Sequence, residues 1–338
     1  MKHHLTRLLA TALTAASLFS ADLPAAAYAP ASRTFSFTVL NITGANRGGG
    51  LAIVMRTPSG KTWLYDTGIG FPDKPSSDGG APNYNSGRDL VAPYLRKLGV
   101  TTIDGVFISH AHNDHFGGLP WLMDHFEIKQ LIDSGYEYRS DNPADYRGAL
   151  KSELERYNGM RGQFKARGAY LRGLAGDTLA LDPDLKIEVI APSKTYFRDP
   201  KVTTRAKSDS PSHFLVNANS LMLRIQFGDI VFLLPGDIQV EDILLSLLPS
   251  VDPGRLKCHV LVCPGHGIAP LPQAFANAAH PEVSIASTPE RTASRVLSTR
   301  TLKALGTGTY ITGLNGNVEV LTDGKKYEVK AEREPVAE

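Results

Sequence analysis

The segment that most restricts how this chain can fold is SHAHNDHFGG, residues 109–118. Its His110, His112, Asp114 and His115 fall within six residues, directly after the apolar segment IDGVFIS. Imidazole and carboxylate groups are ligands that zinc and similar divalent cations prefer. A tight loop after a buried strand turns neighbouring side chains toward one point. We therefore expect the first two histidines to hold one cation and the last two side chains to serve a second.

The alternative interpretation is that these histidines are surface or capping residues. The chain contains ten His, an ordinary number, yet three of them lie within these six positions. The HxHxDH spacing is as specific as other short metal-binding motifs, so it favours a metal site.

Two later segments each place one more ligand type after an apolar strand. In LLPGD, Asp237 ends a hydrophobic segment, where a carboxylate is costly unless it is paired or binds a cation. In VCPGHG, His266 lies between glycines after another apolar segment. Each signal alone is weak, because a strand-end Asp is often an N-cap and an isolated His is often structural. In the order HxHxDH, GD and GHG they favour one shared centre.

The amino terminus has the pattern of a secretory signal peptide (1–27). Lys2 and Arg7 precede an uncharged apolar run (8–20), and small alanines follow it. That run of about 13 residues is shorter than the roughly 20 that a membrane-spanning helix needs. We therefore expect an exported protein, periplasmic or secreted, with no stable membrane span after cleavage and a single folded domain at 28–338. An uncleaved anchor is the alternative.

Composition limits the function classes. Hydrophobic residues make up 42% of the chain and charged residues 21%, which is ordinary for a globular protein and argues against a disordered or fibrous chain. The net charge is +2, so no strong overall field draws the chain to nucleic acid or to a membrane. A length of 338 residues without a clear linker inside 33–330 is compatible with one large domain.

Strand-like and helix-like segments alternate along the chain. This alternation predicts an α/β (α+β) fold with a sheet-on-sheet core and helices outside. Two strands joined by the turn Pro58-Ser59-Gly60 read as a hairpin. In the tail, strands are expected on either side of a tight Asn315-Gly316 turn. The predicted helices cover residues 89–99, 117–126, 240–248 and 293–306.

At this point the sequence resembles a known family, the metallo-β-lactamase fold superfamily of metal-dependent hydrolases. The metal motifs carry the resemblance, together with Asp66 in LYDTG. Residues 37–68, 217–237 and 309–324 further resemble the ComEC-like competence-protein branch. The resemblance covers roughly residues 35–330, and it implies a four-layer αββα sandwich.

The resemblance also implies a dinuclear site and a reaction. Two divalent ions, zinc first and manganese second, would lower the pKa of a bound water. Asp114 is expected to orient the nucleophile as well as to bind metal, while Asp66 supports the metal loop. The expected ligands are His110, His112, Asp114, His115, Asp237 and His266.

Two positions depart from the competence branch. That branch typically has Asp where His112 stands, and His-His-Gly where this chain has Gly265-His266-Gly267. Both departures resemble the broader superfamily instead. The superfamily commonly has a third histidine ligand for the first metal, and His213 is a candidate for that role. The remaining histidines His125, His259 and His280 are expected to be structural or at the surface.

Three functions remain open on sequence alone. The competence-like body favours a phosphodiesterase or nuclease acting on a nucleotide or nucleic acid. The HxHxDH and PGHG loops and the export signal also fit a hydrolase of small-molecule lactones, esters or β-lactams. A non-catalytic metal-binding protein is the third possibility.

The walls of the pocket have weaker signals. Loops 71–87 and 136–175 are expected to shape it, with Tyr84 and Tyr136 as candidates. Seven basic residues lie between Arg147 and Arg172, against two acidic ones. They are interpreted either as a solvated helix face or as a wall that attracts phosphate.

Overall fold

The alternating segments form two facing sheets in the computed structural model, which describes residues 33–42, 49–71, 84–198, 210–238 and 247–333. Strands are numbered along the chain. The first sheet has eight strands in the spatial order β17-β16-β1-β2-β3-β5-β7-β8. These are β1 (Phe35–Val39), β2 (Ala52–Arg56), β3 (Thr62–Thr67), β5 (Gly105–Ile108), β7 (Leu131–Asp133), β8 (Tyr170–Arg172), β16 (Val318–Thr322) and β17 (Tyr327–Ala331).

The second sheet has seven strands in the order β15-β14-β13-β12-β11-β10-β9. They are β9 (Thr178–Leu179), β10 (Lys186–Ala191), β11 (Met222–Phe227), β12 (Ile230–Leu234), β13 (Val260–Val262), β14 (Val283–Ala286) and β15 (Gly308–Ile311). Two short strands, β4 (Thr102–Ile103) and β6 (Glu127–Ile128), form a separate parallel pair.

The helices lie on the outer faces of the two sheets. The α-helices of the described residues are α1 (Ala92–Lys97), α2 (Asn113–Phe116), α3 (Leu119–His125), α4 (Leu150–Ala166), α5 (Pro211–Ala218), α6 (Gln273–Ala279), α7 (Ser298–Lys303) and α8 (Thr312–Asn315). A π-helical turn at Gly87–Val91 leads into α1. Single 3₁₀ turns lie at Pro143–Asp145, Pro253–Arg255, Pro264–Gly267 and Glu290–Arg295.

The main apolar core lies between the sheets. Phe232 of β12 packs against Phe35 and Phe37 of β1, with ring centroids 5.3 and 4.7 Å apart. A second apolar layer joins the first sheet to α1–α4, and a third joins the second sheet to α6 and α7. Because β12 (IVFLL) is covered on both faces, all five of its residues are buried. The predicted four-layer αββα sandwich is confirmed.

Some predicted elements have a different form. The β2–β3 hairpin is confirmed as an antiparallel pair. The Asn315-Gly316 hairpin is wrong, because β15 pairs with β14 in the second sheet and β16 pairs with β1 in the first. Asn315 ends α8 and its side chain accepts a hydrogen bond from the Ile311 N–H, so these residues form the crossover between sheets. The tail hairpin turns instead between β16 and β17.

Three predictions concern residues outside the described ranges. These are the signal peptide, the helix at 240–248 except for its last two residues, and most of the loop at 72–87. Among the described residues, no helix has the length and apolar character to span a bilayer.

Candidate metal centre

The predicted ligands lie where strands of both sheets end. His110 follows β5 of the first sheet, and Asp237 and His266 follow β12 and β13 of the second. The two sheets are joined at this edge by a hydrogen bond of 2.7 Å from the Leu221 N–H to the Ser109 carbonyl. Loops that leave neighbouring strands at one edge therefore bring distant parts of the chain to one place.

Five of the six predicted ligands form two overlapping groups. His110, His115 and Asp237 make one group, and Asp114, His115 and His266 make the other. The ligand atoms of each group lie within 4.8 Å of one another. Within the first group, Nε2 of His115 is 3.4 Å from Asp237 Oδ1, and within the second, Nε2 of His266 is 3.4 Å from Asp114 Oδ2. Between the groups, Nε2 of His266 is 3.6 Å from Asp237 Oδ2. Asp237 thus faces both groups, as a bridging carboxylate would.

The unsatisfied nitrogens at this centre fit a metal site. The Nε2 atoms of His112, His115 and His266 are buried and have no hydrogen-bond partner among the described residues. A buried polar atom without a partner costs about 1–3 kcal/mol, so three together require an explanation. A nitrogen and carboxylate donor set of this kind suits zinc. The residues present therefore fit the divalent cations that the motif predicts.

A hydrogen-bond network behind the centre orients the histidines. Asp66 at the end of β3 accepts the Ser109 N–H at 2.7 Å and the Ser109 hydroxyl at 2.8 Å. Its Oδ2 is also 2.8 Å from His115 Nδ1, which leaves Nε2 of that ring for the centre. The hydroxyl of Ser109 is 2.9 Å from His110 Nδ1. The expected support by Asp66 thus has a direct geometry, and Ser109 is an additional contact that the sequence analysis missed.

Burial keeps two of the ring systems neutral. Burial, reinforced by the neighbouring rings of His115 and His112, lowers the pKa of His110 well below its ordinary value. Burial and the nearby His213 ring lower the pKa of His112 to about 3. Only a neutral imidazole has a free lone pair for a cation, so both rings are in the form that binds metal at neutral pH.

The remaining ligands form a charge-coupled set. Burial opposes their ionisation, but the carboxylates of Asp237 and Asp114 raise the pKa of His115 well above its ordinary value. The pKa of His266 is raised in the same way, with Asp237 as the main charge. In return, the two histidines lower the pKa of both carboxylates despite burial. The carboxylates therefore require positive charge here, which either protons on the histidines or bound cations can supply.

Backbone strain marks two residues of the centre. Asp66 and His266 both have φ near +58°, in the left-handed region that favours glycine. Such a conformation in a non-glycine residue is a cost that is typical of functional sites. The hydroxyl of Thr288 donates to the His266 carbonyl, and Gly265 N–H donates to the Gly236 carbonyl at 3.1 Å. These contacts hold the PGHG loop against the strand that carries Asp237.

Close backbone approach explains the glycine before Asp237. Gly236 has φ of +61°, and a Cβ atom there would lie 2.9 Å from Ser220 Cβ and 3.0 Å from Ser109 Cβ. The neighbouring Asp237 N–H donates to the Ser220 hydroxyl at 3.3 Å. Glycine is therefore required for the two sheets to meet directly beneath the centre.

His112 and His213 lie beside the two groups and belong to neither. Nδ1 of His112 is 2.9 Å from His110 Nε2. The ring of His213, from α5, stacks on the His112 ring with centroids 4.5 Å apart and planes 21° apart. The structure thus brings His213 to the edge of the centre through His112.

Two residues of the basic stretch are used in packing. Arg161 is buried and pairs with Asp133 and Glu137, at 2.7 and 3.2 Å. Arg167 covers the Phe164 ring and donates to the Ile128 carbonyl. These two side chains therefore do not belong to a wall that attracts phosphate.

A narrow cleft begins beside the metal loop. His110 and Ala111 form one part of its lining. Tyr136, Tyr138 and other residues of the segment 136–161 form another part. The segment 136–175 therefore shapes this cleft as expected, whereas Tyr84 is not among its lining residues.

The three histidines expected elsewhere have structural surroundings. His125 stacks on Trp121, and His259 accepts the Val231 N–H through Nδ1 at 3.1 Å. His280 ends α6 in a left-handed conformation.

A family model and curated relatives match this chain. The model described as the metallo-beta-lactamase superfamily matches residues 45–270, more than half of the chain. ComE operon protein 3 of Bacillus subtilis (strain 168) is 24% identical over 199 residues, which cover 57% of this chain and 22% of that protein. The uncharacterized protein YcaI of Escherichia coli (strain K12) is 39% identical over 114 residues, covering 34% of this chain and 13% of that protein. The chain thus spans much less than two thirds of either relative.

Two solved structures that match this chain share little sequence identity with it. The metallo-beta-lactamase fold protein YhfI of Bacillus subtilis is 11% identical, with a TM-score of 0.45 over 82% of this chain and 96% of that chain. A variant of the CmlA beta-hydroxylase is 13% identical, with a TM-score of 0.43 over 84% of this chain and 53% of that chain.

Proposed function

Since the chain belongs to the metallo-beta-lactamase superfamily, we propose that it is an exported, metal-dependent hydrolase that cleaves phosphodiester bonds. The proposed centre holds two divalent cations, with zinc as the first choice and manganese as the second. The proposed ligands are His110, His112, Asp114, His115, Asp237 and His266.

The convergence of these side chains carries the proposal. Two buried histidine Nε2 atoms, of His115 and His266, face the carboxylates of Asp114 and Asp237, which need positive charge. The Nε2 atom of His112 is buried beside them without a hydrogen-bond partner among the described residues. The two groups share His115, and Asp237 faces both. This arrangement supports a pair of neighbouring cations better than a single one.

Bound cations at such a centre lower the pKa of water to near 7 and stabilise the attacking and leaving oxygens of a displacement. The chain's own residues prepare this chemistry. Asp66 fixes the His115 ring through Nδ1, and Ser109 does the same for His110. Asp114 is the most exposed of the ligands, with 38% of its side chain accessible. Its carboxylate is therefore placed to accept a hydrogen bond from an attacking water and orient it.

The phosphodiester substrate class is supported by the relatives and by the type of centre. The match to ComE operon protein 3 agrees with the resemblance of this chain's body to the competence branch. A pair of cations suits the in-line displacement at phosphorus, because it stabilises charge on both sides of the reacting centre.

A substrate panel tests the proposed function. Mature protein loaded with zinc or manganese would be assayed on bis-p-nitrophenyl phosphate, single-stranded DNA, a lactone and a chromogenic cephalosporin. We expect turnover of the phosphodiesters alone. Turnover of the lactone or the cephalosporin without phosphodiester cleavage would assign the chain to the other hydrolase class. Zinc binding with no turnover on the whole panel would support a non-catalytic member of the superfamily.

The ligand assignment is tested by the double variant His110→Ala/His112→Ala. We expect activity to be abolished while circular dichroism remains native-like, because the layers of the core do not depend on these rings. His125→Ala is the matched control, since His125 is exposed at the end of α3 and its ring stacks on Trp121. Unchanged activity in the double variant would refute the assignment.

A further inference from the structure

We infer that Glu153 and Arg156 of α4 are positioning residues of the metal centre. Both residues lie against Asn113, the first residue of α2. They thereby fix the short helix that carries Asp114 and His115. The inference rests on the metal centre proposed above and adds two residues that contact no ligand directly.

Helix α2 cannot hold its own position. It has only four residues, a single turn. Forming the first turn of a helix is unfavourable, and α2 has almost no further residues whose hydrogen bonds would offset that cost. Its N-cap residue His112 makes no side-chain capping bond. Contacts from outside must therefore determine where its side chains point. The first sheet supplies two, from Leu51 N–H to the Asp114 carbonyl at 3.1 Å and from the Thr67 hydroxyl to the His115 carbonyl at 3.1 Å.

Arg156 contacts both ends of α2 from the opposite side. Its Nη2 donates to the Asn113 side-chain oxygen, and its guanidinium lies 5.1 Å from the centroid of the Phe116 ring. The Asn113 side chain itself runs along the helix, because a Cβ at Gly117 would lie 2.9 Å from its Oδ1. One planar cation thus binds the first and last residues of the turn.

Glu153 lies one helical turn before Arg156 on the same face of α4. Burial raises the pKa of the Glu153 carboxylate above its ordinary value, while the charge of Arg156 and the nearby Asn113 N–H act in the opposite direction. A carboxylate near the N-terminus of a helix interacts favourably with the free N–H groups there, and α2 has no capping side chain of its own. Glu153 thus places negative charge beside the start of α2, while Arg156 holds the Asn113 side chain.

The cost of this arrangement argues that it has a role. Arg156 is half-buried, and its Nε is buried without a hydrogen-bond partner among the described residues. Burying a cation that is only partly satisfied is unfavourable. An ordinary surface arginine would avoid this cost by extending into water. Its hydrogen bond to Asn113 and its contact with the Phe116 ring are both to α2.

The experiment compares Arg156→Ala, Glu153→Ala and the control Glu155→Ala. Glu155 is exposed on the same helix, so its substitution controls for helix propensity and net charge. Zinc affinity would be measured by competition with a chromophoric chelator, and the Tm of the EDTA-treated protein would be measured alongside. We expect Arg156→Ala and Glu153→Ala to lower zinc affinity by about 10- to 100-fold, the range of residues that orient metal ligands. The Tm of the metal-free protein should remain close to that of Glu155→Ala.

Conservative variants separate positioning from general stability. Glu153→Gln keeps an acceptor for the Asn113 N–H and should restore most of the zinc affinity. Arg156→Lys keeps the charge but cannot reach both Asn113 and Phe116, so it should remain weak. If an alanine variant fails to fold, the zinc affinities of Glu153→Gln and Arg156→Lys decide whether these residues position the centre.

Zinc affinities of Arg156→Ala and Glu153→Ala equal to that of Glu155→Ala would overturn the inference. Loss of affinity that merely follows a loss of Tm in the metal-free protein would overturn it as well. Because the readout is metal binding, wild-type protein that binds zinc but cleaves no phosphodiester would refute the proposed function and leave this inference standing.

Discussion

At the scale of single residues, Asp66 is the contact on which the centre most depends. It lies in a strained backbone conformation and accepts two hydrogen bonds from Ser109. It also fixes Nδ1 of His115, the only ligand that belongs to both groups. A partner of this kind sets which ring nitrogen faces the metal.

Replacing Asp66 with Asn should therefore weaken metal binding more than it weakens the fold. The amide keeps the shape of the carboxylate but removes the charge that holds the His115 proton on Nδ1. We expect zinc affinity to fall by about 10- to 100-fold. Competition with a chromophoric chelator measures this change, and Asp141→Asn, at an exposed position, is the control. An affinity equal to that of the control would contradict the role of Asp66.

The sequence was most informative for residues with strong local motifs. The HxHxDH spacing and the GD and GHG segments indicated all six ligand candidates, of which the structure brings five into two groups. Ser109 and Glu153 were not identified as site residues, and Arg156 was considered only as one of seven basic residues, because a serine, a glutamate and an arginine have many ordinary roles. Only the three-dimensional contacts with Asp66 and Asn113 distinguish them.

At the scale of elements, Tyr65 of β3 links the two sheets beneath the centre. Its hydroxyl is fully buried and lies 2.8 Å from the Leu221 carbonyl and 3.2 Å from the Leu234 carbonyl. Those two carbonyls flank the segments that lead to Ser220 and Asp237. One hydroxyl therefore fixes the distance between the first sheet and the strands that carry the second half of the centre.

Removing this hydroxyl in Tyr65→Phe should destabilise the protein by about 1–3 kcal/mol, because a buried carbonyl loses its donor. Urea unfolding would measure the change in the free energy of unfolding. Tyr327→Phe is the control, since its hydroxyl bonds to Glu282 at a solvent-exposed position and its loss should cost much less. Equal effects of the two variants would argue against a special role for the inter-sheet contact.

Elements were predicted well where one physical signal dominated. Alternating apolar residues identified many strands of both sheets and the hairpin at Pro58-Ser59-Gly60, whereas the short strands β7, β8 and β14 were not predicted. Helix α4 was not placed, although Leu150, Leu154, Tyr157 and Phe164 follow a helical spacing. Arg161 is buried among them through its pairing with Asp133, and a charged residue on the inner face obscured the pattern. The Asn-Gly turn failed because turn chemistry does not specify which sheet the next strand joins.

At the scale of the whole molecule, the metal centre links stability to pH. An unfolded histidine has a pKa near 6.5. In the folded, metal-free protein, burial opposes protonation of His115 and His266, but the carboxylates of Asp237 and Asp114 raise both pKa values. A raised folded pKa stabilises the folded state fully below the unfolded pKa, and this contribution disappears as pH rises through the folded pKa. Above about pH 7.5, one unit above the unfolded pKa, His110 and His112 are almost entirely neutral in both states and no longer change the stability with pH.

The EDTA-treated protein should therefore lose stability as the pH rises from about 7.5 to about 8.5, where protonated histidines remain only in the folded state. Bound zinc supplies the positive charge without those protons, so the zinc-loaded protein should show a weaker decline. Urea unfolding of both forms across this range measures the effect. Stability of the metal-free form that is constant or rises with pH would contradict the charge-coupled description of the centre.

The division of the ligands between the two sheets has a consequence for biosynthesis. The first half of the chain carries the histidine-rich loop, but Asp237 and His266 arrive only with β12 and β13. A nascent chain that has emerged only as far as β11 thus has an incomplete coordination sphere. Under the proposed function, hydrolytic competence is acquired only when the second sheet docks against the first.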